Sequence, residues 1–272
     1  MCSVTWLVNN KGYEIFFNRD EQKTRAAALP PRIQNMDDMK ILMPIDPVGQ
    51  GSWISTNEAG LSLCLLNNYQ GRMPEHVLFS RGLLLKTLSK EKSIKDVCMA
   101  FERLSLPQFA PFILLAFDLS ICQQGQQGQQ GQQGQQGQQG QQGQQGQPVM
   151  AIKWDGVDKV IEPIEAPLFS SGVKLEEVMA YRYAIYEQVV GSELTQESLL
   201  AFHQHHHPEH SHLSVCMHRD DAETVSFTRV SVSAKTQSMS YVAGALCGHL
   251  TQESLAKNTV SFPNKKALEV AL

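Results

Sequence analysis

The residue with the most suggestive chemistry is a cysteine directly after the initiator methionine. If Met1 is removed, Cys2 carries both a thiol and a free α-amine. The thiolate is the nucleophilic form of cysteine, and a free thiol with a pKa of about 8.5 is mostly protonated at neutral pH. An α-amine titrates at about 7.7–8.0, so it can act as the base for its own side chain. One residue thus supplies a nucleophile and a base without a histidine.

A dense polar cluster at residues 18–21, Asn-Arg-Asp-Glu, is the natural partner of this cysteine. The chain between them consists of two short apolar runs around an Asn/Gly-containing connection, which is typical of a β-hairpin. Because a hairpin brings its outer ends together, we expect the cluster to lie near Cys2. Arg19 would then favour the thiolate, and Asp20 would orient the ammonium group. The alternative is that Cys2 is a small apolar residue in a buried strand.

Composition excludes several classes of function. The chain has 272 residues, 42% of them hydrophobic, which is enough for one sizeable core. The net charge is −4 and no basic block occurs, so we expect neither a nucleic-acid partner nor binding to an anionic membrane surface. The amino terminus lacks a basic start and its apolar run is short, so we expect no signal peptide, and no apolar run reaches the ~18 residues typical of a membrane span.

The cysteines predict a reducing environment. No CxxC pair or zinc-type spacing occurs among them. We therefore expect reduced thiols in a cytoplasmic protein. The six positions are Cys2, Cys64, Cys98, Cys122, Cys216 and Cys247.

Hydrophobic periodicity predicts an α+β protein. After the hairpin we expect a loop at 23–31 and, beyond residue 248, a weak helix or tail. Predicted strands cover 60–66, 111–118, 148–154, 157–164, 168–172, 213–217, 224–232 and 238–243. Predicted helices cover 76–90, 93–104, 174–190 and 195–206. Strands followed by paired helices, twice over, favour two stacked sheets between two helical layers, a four-layer αββα sandwich.

A low-complexity insertion covers residues 123–147, with eight copies of QQG at 123–146. It has no apolar face with which to offset its ordering entropy. The segments on either side of it resemble hairpin partners, so we interpret it as a surface insertion in a single domain spanning 1–272. An assembly role for the repeat is the alternative, and deletion of residues 123–146 would test it.

Two further polar clusters stand out. The buried strand at 60–66 ends in paired amides, Asn67 and Asn68, which are either site residues or an ordinary Asn turn. A histidine-rich run at 203–212 crosses the end of a predicted helix and a proline loop. Since most of this run should be solvated, we favour adventitious over specific metal binding, and we predict no metal site and no cofactor.

Cys2 followed by FFNRDE at 16–21 resembles the NRDE family, which is the family of the transport-and-Golgi-organisation protein two. NEAGLSLCLLNNYQG at 57–71 and HLSVCMHRDDAETVSFTRV at 212–230 resemble the same family. This family is similar in turn to amino-terminal-nucleophile (Ntn) hydrolases, above all the choloylglycine hydrolase and penicillin V acylase group. The resemblance implies an Ntn-hydrolase-like αββα fold and hydrolysis of a linear C–N amide bond.

The resemblance also implies roles for individual residues. Cys2 matches the nucleophile, Arg19 and Asp20 match the positioning pair, and Asn67 matches the oxyanion-hole asparagine. Ser170 or Ser171, together with Arg182, are candidates for the later polar residues of the hydrolase sites. The residues predicted to bind substrate are Asn18, Asn68 and Ser171.

The charged pair departs from the hydrolase pattern because Arg19 and Asp20 are adjacent. Adjacent side chains on a regular strand face opposite sides of the sheet. Both can reach Cys2 only if the strand ends or bulges at Asn18. Otherwise Asn18 and Asp20 share one face, and one member of the pair is structural.

The expected partner is a small-molecule amide or acyl substrate. A non-catalytic protein that binds or carries a lipid, an acyl group or haem on the same fold is the alternative function. The sequence leaves the oligomeric state open, with a homodimer as one alternative.

Overall fold

The computed structural model describes residues 2–77, 79–122 and 148–264 of the chain. The QQG insertion at 123–147 lies outside these residues. The described strands are β1 (Cys2–Asn9), β2 (Gly12–Gln22), β3 (Leu29–Met36), β4 (Met39–Ile45), β5 (Ile54–Asn57), β6 (Ser62–Asn67), β7 (Phe112–Phe117), β8 (Val149–Trp154), β9 (Lys159–Ile164), β10 (Leu168–Ser170), β11 (Ala222–Ser233), β12 (Thr236–Ala243) and β13 (Thr259–Pro263). The described α-helices are α1 (Arg81–Leu88), α2 (Ile94–Glu102), α3 (Leu175–Val189), α4 (Gln196–Gln204) and α5 (Gln252–Lys257).

The strands form two antiparallel sheets. The first has the order β10-β1-β2-β11-β12-β13, and the second has the order β3-β4-β5-β6-β7-β8-β9. The opening hairpin β1–β2 therefore lies inside the first sheet, with β10 on one side and β11 on the other. This arrangement places the start of β1 within the sheet, where both neighbouring strands fix its position.

The two sheets pack face to face around a common apolar core. Alternate residues of β1 and β2 point towards the second sheet, as the period of two in a strand requires. The ring of Trp6 lies 5.5 Å from that of Phe117 in an edge-on contact. The Tyr13 hydroxyl crosses the interface and donates to the carbonyl oxygen of Gly60 at 2.9 Å. Burial of this apolar surface is the main force that holds the sheets together.

Helices cover the outer faces of the sheets. Helices α1 and α2 pack on the second sheet, and α3 and α4 pack on the first. The start of α2 is capped as its sequence predicts, because the Ser93 side chain accepts a hydrogen bond from the backbone N–H of Asp96. Beyond the end of α3, Gly191 adopts a positive φ of 48°. The predicted four-layer αββα sandwich is confirmed.

The predicted loop at 23–31 is wrong at its carboxyl end, because β3 begins at Leu29. Pro30 and Pro31 argued against a strand, since proline removes a ladder donor. β3 is the edge strand of the second sheet, where proline is tolerated. Its register with β4 is irregular between Leu29 and Arg32, at the two prolines.

The predicted strand at 213–217 is also wrong, because this segment runs through turns and bends. Side chains satisfy most of its carbonyl groups, and that of Met217 accepts from the backbone N–H of Thr224 in β11. Arg182 donates to the oxygens of Leu213 and Ser214, and Asn18 donates to that of Val215. The alternating pattern of the segment therefore reflects packing beneath the helices rather than strand pairing.

Two other predicted element boundaries differ from those in the structure. The helix predicted at 76–90 begins only at Arg81, and Phe79 before it forms an isolated bridge with Phe109. The segment after 248 holds α5 and then β13, which pairs with β12. Among the described helices, none is both long enough and apolar enough to pass through a bilayer.

Candidate active site

Strand pairing places Cys2 directly opposite Arg19. The antiparallel register of β1 and β2 runs without interruption from this pair to Asn9 and Gly12. Residues opposite each other in such a pair have their side chains on the same face. Cys2 and Arg19 therefore both face the second sheet, and so does Glu21, two residues further along β2.

A cavity of about 300 Å³ opens at this end of the sandwich. Both sheets and the amino-terminal end of α1 contribute to its wall. Among the predicted site residues, Cys2, Arg19, Asp20 and Asn67 border it, but the Asp20 carboxylate is buried against Arg182. Other residues that border it include Glu21, Arg25, Asp46, Trp53, Tyr69 and Arg81.

A chain of alternating charges fixes Arg19 in the cavity. Its guanidinium lies 4.3 Å from the centre of the Trp53 ring and 3.1 Å from the Glu21 carboxylate. Glu21 also lies 3.6 Å from Nε of Arg25, which in turn pairs with Asp46. Cation–π stacking and a carboxylate together hold the Arg19 charge in one place.

Cys2 is half-buried as a residue, and its side chain packs against the core. Burial raises its pKa, and the negative charge of Asp20 raises it further. The positive charge of Arg19 and the backbone of Asp20 lower the pKa, but they do not overcome burial. At neutral pH the side chain is therefore a protonated thiol, so nucleophilic attack needs a base.

Asn67 ends strand β6, opposite Phe112 of β7. Its amide Nδ2 donates to the Tyr69 hydroxyl at 2.8 Å. Burial raises the pKa of Tyr69, so the phenol keeps its proton and is itself a donor. The Tyr69 ring packs tightly on Gly172, where an added Cβ would lie 2.9 Å from the ring atom Cε1. Asn67 and Tyr69 thus form a connected pair of hydrogen-bond donors at the cavity.

Asp20 points to the opposite face of the sheet. β2 is continuous from Gly12 to Gln22, and the irregularity lies in its partner β11, between Thr224 and Ser226. The Asp20 carboxylate lies 3.3 Å from the Arg182 guanidinium and accepts a hydrogen bond of 2.6 Å from the Thr224 hydroxyl. Of the two arrangements open for adjacent Arg19 and Asp20, the structure has the one in which Asp20 shares a face with Asn18.

Arg182 ties this face to the start of β1. Its side chain is fully buried. Besides Asp20 and the two carbonyl groups of the 213–217 segment, Nη1 donates to the Ser3 hydroxyl at 2.6 Å. Ser3 follows Cys2 directly, so Asp20 and Arg182 hold the strand that carries the thiol.

The Asn18 side chain forms its hydrogen bonds on the helical side of the sheet. Its Nδ2 donates to the carbonyl oxygens of His203 and Val215, so its Oδ1 accepts from Nδ1 of His203 at 2.9 Å. The other ring nitrogen of His203 then accepts from the Thr5 hydroxyl, also at 2.9 Å. Burial lowers the pKa of His203 to about 3, so the ring is neutral. The structure therefore places Asn18 away from the cavity, because its whole amide is used within the protein.

The other two predicted substrate-binding residues also lie outside the cavity. Asn68 stabilises a turn, since its Oδ1 accepts from the backbone N–H of Gln70 at 3.3 Å. Ser171 borders a second cavity of about 400 Å³, and its hydroxyl accepts from the backbone N–H of Val173. Tyr69 borders both cavities.

Sequence reasoning missed Tyr69, Trp53 and Arg81 as cavity residues. Tyr69 stands directly after the paired amides, which is a signal that could have found it. Arg81 begins a helix, and no local pattern links it to Cys2. Its Nη1 donates to the Pro111 carbonyl at 2.9 Å, and burial lowers its pKa.

The opening hairpin and its polar end are shared with a known family. The sequence profile of the Transport and Golgi organisation 2 family matches residues 1–162. The chain belongs to this family. The match confirms the resemblance expected from the run FFNRDE at 16–21. Among curated proteins, none is significantly similar to this family member in sequence.

Solved structures with the same architecture are amino-terminal-nucleophile hydrolases. An N-acylethanolamine-hydrolyzing acid amidase orthologue from Caenorhabditis elegans is 11% identical, with a TM-score of 0.53 over 96% of this chain and 100% of that one. Penicillin V acylase from Agrobacterium tumefaciens is 12% identical, with a TM-score of 0.49 over 94% of this chain and 96% of that one. A conjugated bile acid hydrolase variant from Clostridium perfringens is 11% identical, with a TM-score of 0.49 over 98% of each chain. The similarity to the Caenorhabditis elegans amidase, at a TM-score above 0.5 and 11% identity, shows the Ntn-hydrolase-like fold.

Proposed function

We propose that the protein is an amino-terminal-cysteine hydrolase that cleaves linear C–N amide bonds after loss of Met1. The observation that carries this proposal is the pairing of Cys2 with Arg19 in a cavity that also holds Asn67 and Tyr69. A nucleophile, a fixed positive charge and two neutral donors are what acyl transfer requires. We further propose that residues 1–272 form one domain, which the core shared by the two sheets supports.

The reaction proceeds through a thioester. The freed α-amine of Cys2 takes the proton of the thiol, and the sulfur attacks the carbonyl carbon of the amide. Asn67 and Tyr69 donate to the oxyanion that forms, and the α-ammonium protonates the departing amine. Water then attacks the thioester, releases the acid and restores the thiol. The raised thiol pKa makes the neighbouring amine essential to the first step.

The remaining residues position the site or bind substrate. Asp20 is a positioning residue, because it acts through Arg182 and Ser3 on the strand that carries Cys2. Arg81 has further N–H groups beyond the one used on Pro111, so it can bind an anionic part of a small-molecule substrate. Ser171 lies in the second cavity, where the substrate part beyond Tyr69 would extend.

The six free cysteines support a reducing compartment, and we propose the cytoplasm. A protein that binds an acyl, lipid or haem ligand without turnover is the second candidate. The raised pKa of the Cys2 thiol favours it, because a protonated thiol is a poor nucleophile.

Intact mass spectrometry before and after a limiting dose of a thiol alkylator tests the proposal. We expect a chain without Met1, alkylated first at Cys2. Cys98 is the internal reference, because it is also partly exposed and lies on α2, outside the cavity lining. Incubation with p-nitrophenyl acetate should then add an acetyl group that Cys2→Ala abolishes and Cys98→Ala leaves intact. Retained Met1, or a Cys2 no more reactive than Cys98, would contradict the hydrolase and favour the ligand-binding protein.

A further inference from the structure

A cluster of sulfur and imidazole groups lies outside the cavity lining, on the helical side of the first sheet. His206 lies just after α4, Cys216 and His218 belong to the turn segment before β11, and Cys247 belongs to the loop after β12. One ligand atom from each of His206, His218 and Cys247 lies within 4.8 Å of the other two. We propose that these three residues and Cys216 bind one Zn²⁺ ion, which joins the three segments.

The distances fit a tetrahedral ion. Nε2 of His218 lies 3.2 Å from Sγ of Cys247 and 3.8 Å from Sγ of Cys216. With Zn–S of about 2.3 Å and Zn–N of about 2.0–2.1 Å, a tetrahedral site separates sulfur from nitrogen by roughly 3.5 Å. The two observed distances lie on either side of this value. A hydrogen bond between thiol and imidazole explains one such contact. It does not explain a thiol and two imidazoles whose ligand atoms all lie within 4.8 Å of one another, with a second sulfur 3.8 Å from one of them.

The surrounding groups orient the ligands as outer-shell partners of a metal do. Nδ1 of His206 lies 3.2 Å from the carbonyl oxygen of Cys216. A carbonyl oxygen can only accept, so Nδ1 carries the proton and Nε2 is left as the ligand atom. Sγ of Cys216 accepts the backbone N–H groups of Leu246 and Cys247 at 3.2 and 3.3 Å. These two hydrogen bonds fix the position of the Cys216 sulfur beside His218.

The ligand set favours zinc and a structural role. Two thiolates with two imidazoles in a tetrahedron are typical of zinc, whereas Mg²⁺ and Ca²⁺ require oxygen ligands. Four protein ligands close the coordination sphere, as in structural zinc sites. No zinc-type spacing is visible in the sequence, because Cys247 lies 29 residues after His218 and only the fold brings them together. The expectation of no metal site is replaced by this proposal.

The histidine-rich run supplies a matched control. His207, Glu209 and His210 form a second cluster on the surface, with two of the three residues exposed. A site of that kind binds divalent ions adventitiously. The double variant His207→Gln/His210→Gln removes it and keeps all four residues of the proposed zinc site.

Zinc content and cobalt absorption test the proposal. The full chain, purified under reducing conditions and passed over a chelating resin, is loaded with Zn²⁺ in competition with a chromogenic chelator. We expect one tightly bound ion per chain, and the same in His207→Gln/His210→Gln. Cys247→Ser and His218→Gln should weaken binding by more than about 100-fold, since even outer-shell changes cost about 10–100-fold. Circular dichroism confirms that each variant is folded.

Cobalt substitution in the unaltered chain keeps the test independent of variant folding. Co²⁺ should give the ultraviolet charge-transfer absorption of a metal thiolate and the visible bands of a tetrahedral ion. The proposal is overturned if the reduced chain takes up no tight Zn²⁺, or if its Co²⁺ complex lacks the thiolate absorption. It is equally overturned if zinc remains in folded Cys247→Ser but is lost from His207→Gln/His210→Gln.

Discussion

The guanidinium of Arg182 and the carboxylate of Asp20 lie 3.3 Å apart, and neither side chain is exposed to solvent. This buried ion pair joins α3 to β2 on the side of the sheet opposite the cavity. Removal of one partner leaves an uncompensated buried charge, so each group depends on the other.

Asp20→Asn and Arg182→Met are each expected to lower the free energy of unfolding by about 3–5 kcal/mol. The double variant should lose less unfolding free energy than the sum of the two single losses, because the second substitution removes the buried charge that the first leaves unpaired. Urea denaturation of the four proteins measures the coupling. The exposed pair Lys174–Glu177 is the control, and its removal should change little. Additive losses at Asp20 and Arg182 would refute the coupling.

Arg19→Met is expected to slow alkylation of Cys2. Arg19 lowers the thiol pKa, so its loss raises that pKa and leaves less thiolate at a given pH. Each further pKa unit should lower the alkylation rate at neutral pH about 10-fold, because the thiolate is the reacting form. The pH dependence of alkylation, followed by intact mass, should shift to higher pH. The control variant Arg32→Met, on edge strand β3, should not change the pH dependence of Cys2 alkylation.

Loss of the proposed oxyanion donors should slow acylation without preventing binding. Asn67→Ala and Tyr69→Phe are each expected to reduce the rate of acyl transfer by about 10²–10³, with little change in KM. The release of p-nitrophenol from p-nitrophenyl acetate measures this rate in a single turnover. Tyr183→Phe is the matched control, since its hydroxyl bonds the Pro167 carbonyl outside the cavity lining. An unchanged rate in both cavity variants would remove these residues from the mechanism.

His203 should make the fold sensitive to acid. Its folded pKa of about 3 lies below the ordinary value of 6.5, so the unfolded chain binds the proton first as the pH falls. The stability that the neutral His203 ring contributes is fully present above about pH 6.5. It is lost progressively towards pH 3, by up to about 1.4 kcal/mol per pH unit. His203→Gln should have a correspondingly flatter slope in urea denaturation between pH 7.5 and 4.5. Parallel slopes for the two proteins would show that the acid sensitivity does not come from His203.

Local patterns predicted most of the architecture. The hairpin, the cap at Ser93 and the strands on both sides of the QQG repeat follow from short-range rules, and so they could be read from the sequence. The position of Asp20 could only be narrowed to two arrangements, because strand continuity beyond Asn18 depends on pairing with β11. The cavity residue Arg81 depends on how α1 packs, which no local pattern encodes.

The contact between Gly172 and Tyr69 couples the backbone after β10 to the polar pair of the cavity. A methyl group at position 172 would press on the phenol ring and tilt it, and the hydroxyl that receives Asn67 would move with it. Because Tyr69 borders both cavities, a larger residue at position 172 would change the wall of both without touching Cys2.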